Sequence, residues 1–187
     1  MKSSEKGRMV SQMSRNPFKI LREHEVQKLL RSTTNLKHRT ILTLIYATGI
    51  RSTELAQLKL EDIDVMQNLI TVRGPKKRII LVVPKAMYLI RQYFQRYQPC
   101  KYVFENPDGE QYSNSSFQQV FNRALERSGI DKNATLNSLR ISLLANLKYR
   151  GKGIRHAGDF MTYEHMVSEP DMRQQYFDRL NRSLSNL

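Results

Sequence analysis

Ala47-Thr48-Gly49-Ile50-Arg51-Ser52-Thr53-Glu54-Leu55 lies at the joint between two helices. Upstream, Thr40 to Ala47 is almost wholly apolar, the composition of a helix packed inside a domain. Gly49 then stands where a helix C-terminus wants a left-handed residue. Ser52 is expected to cap a second helix, with Glu54 in its first turn, where the helix dipole favours an anion. Leu55 and Leu58 return the chain to the core. Arg51 is therefore held between two anchored helices. A guanidinium fixed in that way is a built anion-binding fork rather than a solubilising surface charge.

On the N-terminal side, Leu21 to Ser32 carries Val26, Leu29 and Leu30 at amphipathic spacing. Met1 to Asn16 is polar, basic and aperiodic, and reads as a flexible arm or linker remnant ahead of a domain spanning residues 17–187. On the C-terminal side, Glu61 to Asp64 breaks the helical pattern. Asn68 to Val72 and Arg78 to Val83 read as β-branched strands, joined by a basic turn through Gly74 and Pro75. Pro84 should stop the second strand, and Lys85 to Tyr97 has helical periodicity. Asn106 to Gly109 carries turn residues throughout. A helix from Ser113 to Ser128 ends at Gly129, and Thr135 can cap the next, whose buried face is Leu139, Leu143, Leu144 and Leu147. Gly151 to Gly153 should end it. Ser168 and Asp171 have capping-box spacing at the start of a last helix holding Arg173, Tyr176, Phe177 and Leu180. The fold class expected is mainly α with a small antiparallel β-sheet.

Composition narrows the partner. The 187 residues carry 31 Lys and Arg against 17 Asp and Glu, a net charge of +14. Such an excess makes the compact state repel itself and calls for a polyanion. Nucleic acid fits better than a membrane surface, because the cations are spread along the chain and no segment pairs them with bulky apolar anchors. Cys100 is the only cysteine, so intrachain disulfides and thiolate metal clusters are excluded. With no apolar leader in Met1 to Asn16 and no apolar run long enough for a bilayer, the expectation is a soluble cytoplasmic, nucleoid-associated protein. His24, His38, His156 and His165 lack metal-ligand spacing, and Gly74 to Lys77 lacks the remainder of a phosphate-binding loop, so no cofactor is expected.

The order of Ala47 to Leu55, a basic hairpin turn, a Thr-capped helix bearing Arg140, a histidine and a late tyrosine resembles the C-terminal catalytic domain of the tyrosine recombinases, or phage-type integrases. The likeness covers about residues 17–182. It implies that Arg51 and Arg140 clasp a scissile phosphate of double-stranded DNA and that Tyr176 is the nucleophile. Lys76, or else Lys77, matches the lysine that protonates the departing 5′ oxygen, and His165 matches the position ahead of the tyrosine. Asn137 stands where the family usually has a histidine. Arg73, Lys77 and Arg78 are expected DNA contacts, with Glu54 supporting Arg51. The resemblance also implies self-association on DNA as a dimer or tetramer. Family members usually carry an N-terminal helical domain that sixteen residues cannot supply, so a fragment or a minimal form is expected.

The chemistry is coherent by itself. Attack on a phosphodiester builds negative charge on its non-bridging oxygens, and two preorganised arginine forks oppose that charge. A phenol has an ordinary pKa of about 10 and needs nearby cations to react as phenolate. A covalent 3′-phosphotyrosine then conserves the bond energy for religation without ATP. Two readings stay open: a strand-cleaving enzyme, and a non-catalytic DNA-binding relative, for which Asn137 is the motivating residue, since an amide donates a hydrogen bond but cannot relay a proton. Tyr163 is the rival nucleophile.

Overall fold

The computed structural model describes residues 20–75, 77–146 and 162–185. The N-terminal arm, Lys76, Leu147, Gly151 to Gly153 and His156 lie outside them, as do the side chains of Leu144 and His165.

Helix α1 (Glu23–Arg31) buries Val26, Leu29 and Leu30. Helix α2 (Leu36–Thr48) follows and is buried at every residue from Thr40 to Thr48. It starts four residues before the apolar run because the Asn35 side chain accepts the His38 N–H at 3.0 Å and caps it. It ends as expected at Gly49, whose φ of 62° puts it in the left-handed region. Helix α3 (Ser52–Gln57) differs by one residue from the expected cap. Arg51, not Ser52, is its N-cap residue, and the Glu54 carboxylate accepts the Arg51 N–H at 2.9 Å.

A single 3-10 turn (Leu60–Asp62) leads into a three-stranded antiparallel sheet in the order β1 (Ile63–Asp64), β2 (Leu69–Val72), β3 (Arg78–Leu81). Ile70 faces Ile80, and Val72 faces Arg78, across the hairpin. Two residues are too few to show alternation, which is why β1 was not legible as a strand. Strand β3 ends at Leu81, short of the expected Val83, so Pro84 does not stop it; Pro84 opens α4 (Pro84–Tyr97) at a position whose missing N–H costs nothing. Helix α5 (Asn114–Ser128) is capped by Ser113, and α6 (Leu136–Asn146) by Thr135 through the Ser138 N–H. Short α7 (Tyr163–Ser168) and α8 (Pro170–Ser183) complete the described chain. Because Ser168 is still the last residue of α7, Glu169 takes the cap position of α8.

One continuous hydrophobic cluster joins all these helices and the inner face of the sheet. Helix α2 runs through its centre, against α4 on one side and α6 on another. Helix α8 is tied onto this body by Arg179, whose Nη1 lies 2.6 Å from a Glu23 carboxylate oxygen on α1, and by the Tyr46 and Ser183 hydroxyls, 3.3 Å apart. Among the described residues no helix is long and apolar enough to cross a membrane. The C-terminal end of α2 is therefore a fixed point where α3, α6, α8 and β3 converge, and it carries the residues considered next.

Candidate active site

Arg51 leaves α2 just beyond Gly49, with its backbone pinned by Glu54 and its side chain in solvent. Arg140, on the second turn of α6, reaches back to the same joint. Its Nε donates to the Gly49 carbonyl at 2.6 Å, and its Nη1 donates to Asn137 Oδ1 at 3.3 Å. The three side chains Arg51, Asn137 and Arg140 line one cavity of about 350 Å³. Ser52, Thr53, Asn114, Gln118 and Thr135 complete its polar wall, and no carboxylate is among the described residues lining it. The first turns of α5 and α6 border it, and unpaired N–H groups at helix starts favour an anion. Beside Ile45, Ile50 and Leu136, the cavity thus offers two guanidinium groups, three amides and three hydroxyls as possible donors.

Glu54 holds the other side of the joint. Its two carboxylate oxygens accept from Arg78 Nη1 at 2.8 Å and Arg78 Nη2 at 2.9 Å, a bidentate pair in which the Arg78 side chain is only 10% exposed. Arg78, expected with the DNA contacts, therefore spends both terminal nitrogens inside the protein. Arg73 is exposed, yet its guanidinium is engaged by Asp62 and by Glu61, the latter at 3.1 Å. Lys77 is exposed. Glu54 thereby does more than support Arg51, since one carboxylate fixes the Arg51 backbone and the start of β3 together.

That role carries a pH signature. Burial works to raise the Glu54 carboxyl, but hydrogen bonds from Arg78 and from the Arg51 N–H, with the charges of both guanidinium groups, outweigh it and hold the carboxyl below its ordinary range. A depressed folded-state pKa gives stability that is fully present above the unfolded value, about 4.3, and is lost as pH falls through the folded value. Glu54→Gln should lower unfolding free energy by on the order of 2 kcal/mol near neutrality. The gap to the unmutated chain should close below about pH 4 in urea melts, and a gap independent of pH would contradict this pairing.

Tyr176 comes to the same end of α2 but faces inward. Its side chain is wholly buried, and its hydroxyl donates to the Ala47 carbonyl at 2.7 Å, with the Leu81 carbonyl of β3 at 3.4 Å. Ala47 and Gly49, which accept from Tyr176 and Arg140 respectively, are two residues apart on one strip of backbone. Burial, with Tyr46 beside it, pushes the phenol well above its ordinary value, so in this seat it is a hydrogen-bond donor and not a nucleophile. It is absent from the cavity lining. Tyr163, by contrast, is 43% exposed on α7. His165 belongs to α7, which packs on β3. The structure therefore groups Arg51, Asn137 and Arg140, and sets Tyr176 behind them. Asn114 and Gln118 joined the cavity without a sequence signal beyond the Ser113 cap that starts their helix.

The profile of the Phage integrase family matches residues 19–177. The tyrosine recombinase XerD of Listeria innocua serovar 6a is 29% identical over 158 residues, which cover 76% of this chain and 53% of that protein. The chain thus spans about half the length of this curated relative. The crystal structure of XerA recombinase superposes with a TM-score of 0.68 at 22% identity, covering 90% of this chain and 65% of that one. The Tn1549 transposon integrase, solved in complex with a circular intermediate DNA, gives 0.67 at 15% identity, covering 92% and 67%. The shared fold is the mainly α domain with a small antiparallel sheet described above.

Proposed function

Since this chain belongs to the phage integrase family, we propose that it cleaves and rejoins strands of duplex DNA through a 3′-phosphotyrosine formed at Tyr176. The observation that carries the reading is the convergence of Arg51, Asn137 and Arg140 on one cavity with no carboxylate among its described lining residues, with the Tyr176 phenol anchored on Ala47, two residues from Gly49 at the same helix end. Arg51 and Arg140 take the two non-bridging oxygens of the phosphate, and their charge grows in value as the transition state gains negative charge. Asn137 donates an amide hydrogen to the same group. The phenol oxygen attacks phosphorus, the bond to the 5′ oxygen breaks, and that oxygen takes a proton from Lys76 or Lys77 of the hairpin. His165 sits ahead of the nucleophile as a further phosphate partner. Religation runs these steps backwards with another 5′ hydroxyl and needs no external energy source.

Tyr176 has to leave its seat first. The hydrogen bond to Ala47 and the dry surroundings both hold its proton, so α8 must shift to bring the phenol into the arginine cavity, where cations favour the phenolate. Movement of α8 means loosening Arg179 from Glu23 and Ser183 from Tyr46. Assembly of two or four copies on DNA is the expected setting for that shift, and a cytoplasmic location with the nucleoid follows from the substrate.

The test is a duplex with a nick beside the cleavage position, from which the cut strand diffuses and traps the adduct. A band resistant to SDS is expected. Binding without any such adduct would leave the non-catalytic DNA-binding reading in its place. Binding itself should be steeply salt-dependent, because each neutralised phosphate releases counterions. Arg51→Gln should reduce the slope of log affinity against log salt by about one, measured by fluorescence anisotropy; an unchanged slope would remove Arg51 from the phosphate contacts.

A further inference from the structure

We propose that a groove at the opposite end of α2 from Arg51 is a second, separate site for a phosphate-type oxyanion. Thr34, Leu36, Arg39, Gln92, Gln95 and Arg96 line an open cavity of about 470 Å³ between the first turn of α2 and the last turns of α4. Among the described residues lining it are two arginines and no carboxylate. Among the described residues neither the Arg39 nor the Arg96 side chain has a hydrogen bond or an ion pair. Arg39 Nε is moreover sealed from solvent with its donor unmatched, although buried donors almost always have an acceptor.

Arg96 by itself is accounted for by its place in the last turn of α4, where the helix dipole welcomes a cation. Arg39 is not. It lies in the opening turns of α2, at the positive end of that dipole, behind a first turn that holds no acidic residue and carries Lys37 and His38. Lys37 is already occupied, its Nζ bound to the Glu105 carbonyl and stacked 4.6 Å from the Tyr112 ring centroid. Arg96 borders the same groove, so two guanidinium groups face one open space, where an anion would find both. Two planar forks, two glutamine amides and a hydroxyl match the lone pairs of a tetrahedral oxyanion. The groove is distinct from the catalytic cavity: Arg39 lies nine residues before the last residue of α2, Thr48, on the order of 14 Å at the helical rise, and Arg51 lies beyond that end. A phosphate farther along a bound duplex and a free phosphorylated solute share this chemistry.

Arginine side-chain NMR on the full chain, titrated with pyrophosphate, resolves the site from the catalytic one. Saturable shifts are expected at the Nε–Hε signals of both Arg39 and Arg96, weakened about tenfold in apparent affinity by Arg96→Gln. Arg96 is exposed, so this variant keeps its fold even if Arg39→Gln does not. Displacement of pyrophosphate from the groove by a duplex identifies a DNA phosphate as the occupant, and saturable binding undisturbed by a duplex identifies a free anion. No saturable shift at Arg39 and Arg96, or shifts indifferent to Arg96→Gln, overturns the site. Strand cleavage is not needed for either outcome, so failure here leaves the catalytic reading standing.

Discussion

Tyr176→Phe yields no covalent protein–DNA adduct on a nicked duplex, while Tyr163→Phe yields as much as the unmutated chain. The expectation comes from what the hydroxyl does in each state. Folded and unbound, it gives one hydrogen bond to Ala47 inside the core, so its removal costs about 1 kcal/mol of stability. The ring, with its packing against Phe177 at a centroid separation of 5.5 Å, stays in place. A folded variant with intact DNA affinity and no adduct thus isolates the phenol oxygen as the attacking atom. Loss of both binding and thermal stability in Tyr176→Phe would instead make the residue a core tyrosine whose hydroxyl is merely satisfied.

Arg140→Ala should slow adduct formation by about 100- to 1,000-fold in single turnover, the effect of removing one preorganised donor from a developing oxyanion. Arg140→Lys should recover little. A lysine keeps the charge but cannot hold the Gly49 carbonyl and Asn137 while presenting a planar fork to a phosphate. The loss should fall mainly on the cleavage rate, with a smaller loss in binding, since non-specific affinity is spread over many cations of a chain with net charge +14. If lysine restores the rate fully, Arg140 acts only as a charge, and the clasp of two forks is wrong.

The parts of this arrangement that could be read from the sequence are those set by near neighbours. Gly49 ends α2 because no other residue takes a left-handed conformation so readily, and Thr135 and Ser113 mark helix starts by hydroxyls within reach of their own first turns. These fixed the joint that carries Arg51 and the helix that carries Arg140. What escaped depends on distant backbone. Nothing near Tyr176 indicates that its hydroxyl ends on the carbonyls of Ala47 and Leu81, 129 and 95 residues away. Arg73 and Arg78 read from the sequence as DNA contacts of a basic hairpin, and only the folded hairpin puts Asp62, Glu61 and Glu54 beside them. The cap of α3 moved from Ser52 to Arg51 because Glu54 reaches back across the joint, a choice the residue types alone leave undecided.

The fold and the arginine joint then leave one question at the centre: whether the tyrosine stored behind α2 is the residue that meets the phosphate. Trypsin answers it on the trapped adduct, because cleavage after Arg173 and Arg179 frees Gln174-Gln175-Tyr176-Phe177-Asp178-Arg179, while Tyr163 falls in a separate peptide, His156 to Arg173. Mass spectrometry should find the nucleotide on Tyr176 in the first peptide. A nucleotide carried by the second peptide, or by neither, would contradict the account.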